Sequence, residues 1–455
     1  MTDDILTRSL RRIAADLAGG DLTATALAEA TQARHDPALA AYKDWTPDLA
    51  RRQAMAADAA FAVGTHLGGL QGIPVSLKDL YGVAGLPTFA GTPNALPPAF
   101  SAEGPVVTAL RRQLAVIAGK THTVEMAFGG LGTSRHHPTP WNPRDRAVHR
   151  APGGSSSGAG VSLVEGTALV AFGTDTGGSV RIPASLTGTV GLKTTLGRWS
   201  TVGIVPLSPS FDTPGILTRS ADDAAFAFEA LDTARVPVCD GPLRLGVAGA
   251  FFWGDTSPGI GERLHETMAL IEADGGTLAD VDLPGVTEVY GIYREGGIVS
   301  AELYAFLRDT LPQVLLTLDP RVRRRMDDGK ALEAWEYLHR KARYAALSAE
   351  AAAVLGGFDA VLSPTVPLTP PPVALLEDPG TYAPLNLLNL RNTCVVSFLG
   401  LCAVSIPAGV DAEGLPVGLQ LIGAPGTEPR LLALARRIER VLARAGVWTP
   451  PHSLD

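Results

Sequence analysis

Residues 152–160, PGGSSSGAG, offer glycines that could cradle a phosphate and serines that could attack a carbonyl. A phosphate loop closes with Gly-Lys-Ser/Thr because the lysine neutralises phosphate charge. Here Val161 and Ser162 follow Gly160, and no lysine comes. A dinucleotide fingerprint on Gly158 and Gly160 would need glycine where Leu163 stands. GSSSG does fit a Gly-x-Ser-x-Gly nucleophile elbow centred on Ser156. That chemistry wants a later acid and a later histidine, and His265 and His339 both fall in charged helical contexts. A third reading joins three segments: GIPVSLKDL with Lys78, PGGSSSGAG with Ser155, and GTDTGGSVRIPAS with Ser179. The two serines stand 24 residues apart, room for one helix and one returning strand. Both then sit at strand-to-helix crossovers on one sheet edge, where α/β folds bind ligands.

Taken together and in this order, the three segments resemble the amidase signature family. GLPVGLQLIG, FDAVLSPT and SIPAGV near the C-terminus resemble it too, so the likeness runs over about residues 72–423. The resemblance implies a Ser–cis-Ser–Lys triad: Ser179 as nucleophile, Ser155 as the bridging serine after a cis bond from Gly154, and Lys78 as base. It implies no cofactor and no metal. The physical logic is coherent. Burial among Ile73, Val75 and Leu77 disfavours the ammonium form, so the amine becomes a usable base. Ser156 and Ser157 are left to cap and hydrogen-bond at the start of the next helix. In DTGGS, the N–H groups of Thr176, Gly177, Gly178 and Ser179 can converge on one oxygen, and paired glycines permit the sharp turn. Asp175 and Arg181 flank that loop as a pair that shapes it. GKTHTVEMAFGG aligns with the family segment lining the acyl pocket, giving Ala127, Phe128 and Gly129 as pocket residues. The family often has asparagine where His122 stands, which leaves His122 a hydrogen-bonded structural role. His136 and His137 have no matching metal-ligand set and read as surface-loop residues.

The elements that must position these residues are legible as short apolar runs and periodic stretches. Residues 4–17 and a stretch from about 23 have helical spacing; 106–121 reads as a helix running into a strand. Residues 155–166 read as a helix opened by serines, 167–175 as a buried strand, and 427–446 as an amphipathic helix closed by glycine. Strands alternating with helices predict an α/β fold, and the resemblance makes it a central twisted mixed β-sheet covered by helices on both faces. One domain over 1–455 is expected: helices over 1–70, the signature core over about 72–220, and the rest of the same fold over 221–455. The proline-rich stretch 364–380 reads as a surface loop.

Composition narrows the function. The chain has 455 residues, 46% hydrophobic and 18% charged, which fits a well-buried globular protein. Its net charge is −8 and its one basic run is Arg323, Arg324 and Arg325, read as a solvated helix face; nucleic acid is not an expected partner. Three scattered cysteines, an acidic start and no uninterrupted apolar span predict a cytoplasmic protein without membrane association. The expected reaction is hydrolysis of a C–N bond in a small-molecule amide through a seryl acyl-enzyme, releasing ammonia or an amine. A glutaminase subunit of a tRNA-dependent amidotransferase, a hydrolase of carbamates, hydrazides or urea derivatives, and an inactive binding scaffold are the alternatives. A homodimer is left open. Residues 290–307 and the proline-rich stretch are expected at the substrate pocket.

Overall fold

The computed structural model describes residues 5–450. Asp4, the first residue of the expected N-terminal helix, lies outside them. Eleven strands form one sheet: β1 (Tyr42–Trp45), β2 (Pro74–Lys78), β3 (Val116–Thr121), β4 (Val170–Asp175), β5 (Val190–Lys193), β6 (Thr213–Thr218), β7 (Leu243–Ala248), β8 (Gly276–Val281), β9 (Ala360–Pro364), β10 (Cys402–Val410) and β11 (Pro416–Gly423). Their order is β1-β3-β2-β4-β6-β5-β10-β11-β9-β7-β8. β2 pairs in parallel with β3 and β4, and β7 with β8 and β9. The middle of the sheet, from β4 through β6, β5, β10 and β11 to β9, is antiparallel.

The inner strands, such as β10 and β11, read as near-continuous apolar runs because both faces are covered, whereas the edge strands β1 and β8 are polar and partly exposed. In β10, Val404 and Ile406 enter one core layer and Ala403 the other; in β11, Leu419 and Leu421 enter the first and Ile422 the second. This is the period of two expected when alternate side chains leave opposite faces. The first layer takes the helices Leu10–Gly19, Ala221–Leu231 and Glu428–Arg444. The second takes Ile298–Thr310, Ala334–Leu355 and the end of Pro379–Phe398.

Two local expectations change. The helix after the serine stretch begins at Ala159 with Gly158 as N-cap and no side-chain cap. The serines stand upstream in a loop whose hydroxyls turn to other partners: Ser156 Oγ donates to the Thr174 carbonyl at 3.4 Å. The proline-rich stretch is no plain surface loop. It leaves β9 with Thr365 and Val366 buried and forms a 3₁₀ turn over Val373–Leu376 that buries Leu376. Its prolines, lacking N–H groups, serve as acceptors: the Pro370 and Pro371 carbonyls receive Arg150 Nη1 and the Ala151 N–H. No helix among the described residues is long and apolar enough to cross a membrane.

Candidate active site

Lys78 is the last residue of β2, and its neighbour β4 places Thr174 alongside it. Lys78 Nζ lies 2.8 Å from Ser155 Oγ and 2.8 Å from Thr174 Oγ1, all three side chains buried. Burial draws the Lys78 amine down to about 7, although Asp212 and Asp175 pull it upward. The Gly154–Ser155 peptide is cis. The loop is pinned on both sides: the Gly154 N–H donates to the Gly130 carbonyl at 2.8 Å, and the Ser155 carbonyl accepts the Val124 N–H at 3.0 Å. Thr174 belongs to a segment singled out in the sequence, but its contact with Lys78 depends on strand register.

β4 ends at Asp175 and the chain turns through Gly177 and Gly178 into the helix Arg181–Thr187. Gly178 has φ +129, and a Cβ there would stand 2.1 Å from Thr393 Oγ1, so the turn requires glycine twice over. Asp175 Oδ1 accepts the Gly178 N–H at 2.7 Å, which removes Gly178 from the expected set of oxyanion donors. The N–H groups of Thr176, Gly177 and Ser179 make no hydrogen bond among the described residues. Asp175 and Arg181 are both fully buried and meet through Nε–Oδ2 at 3.0 Å and Nη2–Oδ1 at 2.9 Å. Arg181 reaches on to Gln420 Oε1 (2.6 Å), the Thr393 carbonyl (3.0 Å) and Ser397 Oγ (2.6 Å). Burial raises the Asp175 carboxyl, but Arg181 outweighs it and holds the group down at about 2. Ser179 stands on this loop, and its carbonyl accepts the Ser156 N–H at 3.2 Å, which sets the two serine loops side by side. Thr176 Oγ1 donates to Asp212 at 2.5 Å.

Ala127, Phe128 and Gly129 are close to these loops. Met126 and Ala127 adopt left-handed backbone angles (φ 50 and 59), which turns the chain past the serine loop. Ala127 and Thr174 line one small cleft with Asp212, while Phe128 faces a larger cavity of about 400 Å³ on the side of Tyr293, Tyr382 and Asn386. Residues 290–307 and the end of the proline-rich stretch do reach this cavity, through Tyr293 and Pro379. Asn386 Oδ1 accepts the Gly130 N–H at 2.8 Å and so ties the cavity wall to the residue that holds Gly154.

The basic run is a correction. Arg324 is exposed and Arg323 half-buried, but Arg325 turns inward: Nη1 donates to the Phe128 carbonyl at 2.8 Å, and the guanidinium lies 3.9 Å from the Phe128 ring centroid. The helix Pro320–Asp327 brings Arg321, Arg324 and Arg325 to one face by their i, i+3, i+4 spacing. Read as a run of like charges, that spacing was not decisive.

His265 and His339 are exposed on helices, so Ser156 has no histidine partner and the elbow reading falls. His122 is buried, but its main chain carries the hydrogen bonds: its N–H donates to the Ala41 carbonyl and its own carbonyl accepts the Gly158 N–H. His136 and His137 are half-buried rather than surface residues, at Glu125 (3.3 Å) and the Thr92 carbonyl (2.9 Å). No group of three or more metal-ligating side chains is present among the described residues.

The family model Amidase matches residues 21–432, which extends the likeness beyond the span read from motifs. The chain belongs to this family. It is 48% identical over 445 residues to 2-amino-5-chloromuconic acid deaminase of Comamonas testosteroni, covering 96% of both chains. It is 32% identical to a glutamyl-tRNA(Gln) amidotransferase subunit of Anaeromyxobacter dehalogenans, over 95% of this chain and 96% of that one. Among solved structures it resembles a crystal structure of an amidase with a TM-score of 0.86 and 31% identity, over 97% of this chain and all of the other. The amidase-signature fold is thereby established, and the protein is a hydrolase of carbon–nitrogen bonds other than peptide bonds, acting on small molecules.

Proposed function

We propose that the chain hydrolyses its substrate through a seryl intermediate on Ser179, with Ser155 relaying the proton and Lys78 as base. The observation that carries this is Lys78 Nζ, 2.8 Å from Ser155 Oγ and held at about 7 by burial. A lysine so placed is substantially neutral near neutral pH and can accept a proton. Ser179 Oγ attacks the carbonyl carbon; its proton passes to Ser155 Oγ, and the Ser155 proton passes to Lys78 Nζ. The N–H groups of Thr176, Gly177 and Ser179 receive the oxyanion. The proton returns through Ser155 to the leaving nitrogen, the C–N bond breaks, and water then frees the acyl group. Asp175 and Arg181 position the loop without touching the reacting atoms.

For the seryl route the substrate is proposed to be a carboxamide of an open-chain unsaturated acid, which loses ammonia; the acid skeleton is the one named in the 48%-identical relative. That name also favours a second reading, in which the C–N bond belongs to the imine tautomer of an enamine and water replaces the nitrogen to give a ketone and ammonia. The amidotransferase reading rests on a lower identity, 32%. Three free cysteines support a reducing, cytoplasmic setting.

Ser179→Ala is expected to stay folded and lose turnover by about 10³-fold or more. Intact mass after fluorophosphonate treatment should show one adduct on the parent and none on the variant; an adduct of equal yield on Ser179→Ala sinks the assignment. Amide hydrolysis gives a mass-trappable acyl-enzyme and a carboxylic acid, whereas the imine reading gives a ketone.

A further inference from the structure

The cavity beside Phe128 is unusual for a chain of net charge −8, because four arginines line it. Arg321 is engaged by Asp319, 2.5 Å away. Arg294, Arg324 and Arg325 have no ion pair among the described residues, and Asp328 is the single acid in the lining. The cavity therefore carries an excess of positive charge. Arg325 is the best placed of the three. Its guanidinium is fixed by the Phe128 ring, the Phe128 carbonyl and the Tyr293 hydroxyl, which use two of its five N–H donors. Three of its N–H donors remain for a ligand, in the plane of a guanidinium held in advance, the group type that best pairs with a carboxylate. The helix that presents it is itself anchored to the pocket segment, since the Asp319 N–H donates to Glu125 Oε2 at 2.7 Å. Phe128 is two residues from Gly130, whose carbonyl accepts the Gly154 N–H, so the wall of this cavity is tied to the serine loop.

We infer that this cavity is a carboxylate subsite: Arg325, with Arg294 and Arg324 at the rim, binds a substrate carboxylate remote from the C–N bond that is broken. The inference rests on the hydrolase reading above and assigns a site in the fold to the carboxylate of the acid proposed there. The same charge draws an anionic substrate toward the mouth against the overall charge of the protein.

Calorimetric titration tests it with muconate dianion, muconate dimethyl ester and inorganic phosphate, on the parent and on Ser179→Ala. Muconate is expected to bind both proteins, and the uncharged ester at least about tenfold more weakly. Arg325→Gln should weaken muconate by about 10- to 100-fold and Arg325→Lys by less, while Arg51→Gln, on an exposed helix face, leaves it unchanged. If Arg325→Gln does not fold, the exposed pair Arg294→Gln/Arg324→Gln must show the weakening. The inference is overturned if muconate does not bind, if the ester or phosphate binds as well as muconate, or if the folded arginine variants bind within twofold of the parent. Binding retained in an inactive Ser179→Ala supports both readings. An active Ser179→Ala condemns the serine assignment alone, because the titration does not depend on turnover.

Discussion

As the proposed base, Lys78, its amine drawn down to about 7 by burial, imposes a sign on the rate. Only its neutral form accepts the serine proton, so kcat/KM should rise with pH and level off above about 7. Lys78→Met should abolish that limb and lose about 10³-fold in rate. It should also change stability in a defined direction. The folded Lys78 binds its proton less readily than the unfolded chain, whose lysine has the ordinary value of 10.5. Parent stability from this group therefore rises between pH 7 and 10.5, and the penalty is complete below 7. Any gain in melting temperature of Lys78→Met over the parent should be largest below pH 7 and fade toward 10.5. Thr174 is the other partner of the amine. Thr174→Val removes a hydrogen bond that favours the ammonium, so the inflection in the pH–rate profile should move lower, with about a tenfold fall in kcat. A merely structural threonine would leave that inflection in place. The proposed triad of Lys78, Ser155 and Ser179 could be named from the sequence because each residue sits inside a contiguous motif. Arg325 was not: its value comes from packing against Phe128, 197 residues away in sequence.

The turn after β4 depends on a charge pair that no water reaches. Asp175 meets Arg181 and also fixes the Gly178 N–H. Asp175→Asn would leave the Arg181 charge buried without its counter-ion, at a cost of about 3–5 kcal/mol. The urea midpoint should fall accordingly, and activity should fall with it at urea-free conditions because the loop loses its anchor. An unchanged midpoint would show the pair to be dispensable. The strands that flank this turn were readable as short apolar runs, since both sheet faces are buried. The start of the helix after Ser157 was misread because serine is so often an N-cap. Here its hydroxyls serve the loop, and Gly158 takes the cap without a side chain, its backbone pressed 3.0 Å from the His122 carbonyl.

The sheet order could not be read from the sequence, because pairing partners lie far apart along the chain. β5 from the first half pairs with β10 from the last, joining residues 191–193 to 403–405. A sheet continued across that seam should unfold in one thermal transition by calorimetry; two resolved transitions would show that the seam is weak. The motifs carrying the proposed nucleophile, relay and base all stand before residue 180, so the first half was enough to suggest the chemistry. It is not enough to build it. Arg181 is held by Thr393, Ser397 and Gln420, more than 200 residues downstream. During synthesis, the ribosome has therefore released all three residues of the proposed triad long before it makes the residues that lock the turn at Arg181. The growing chain carries the buried arginine's turn unfinished, and its partners arrive only with the chain's final stretch.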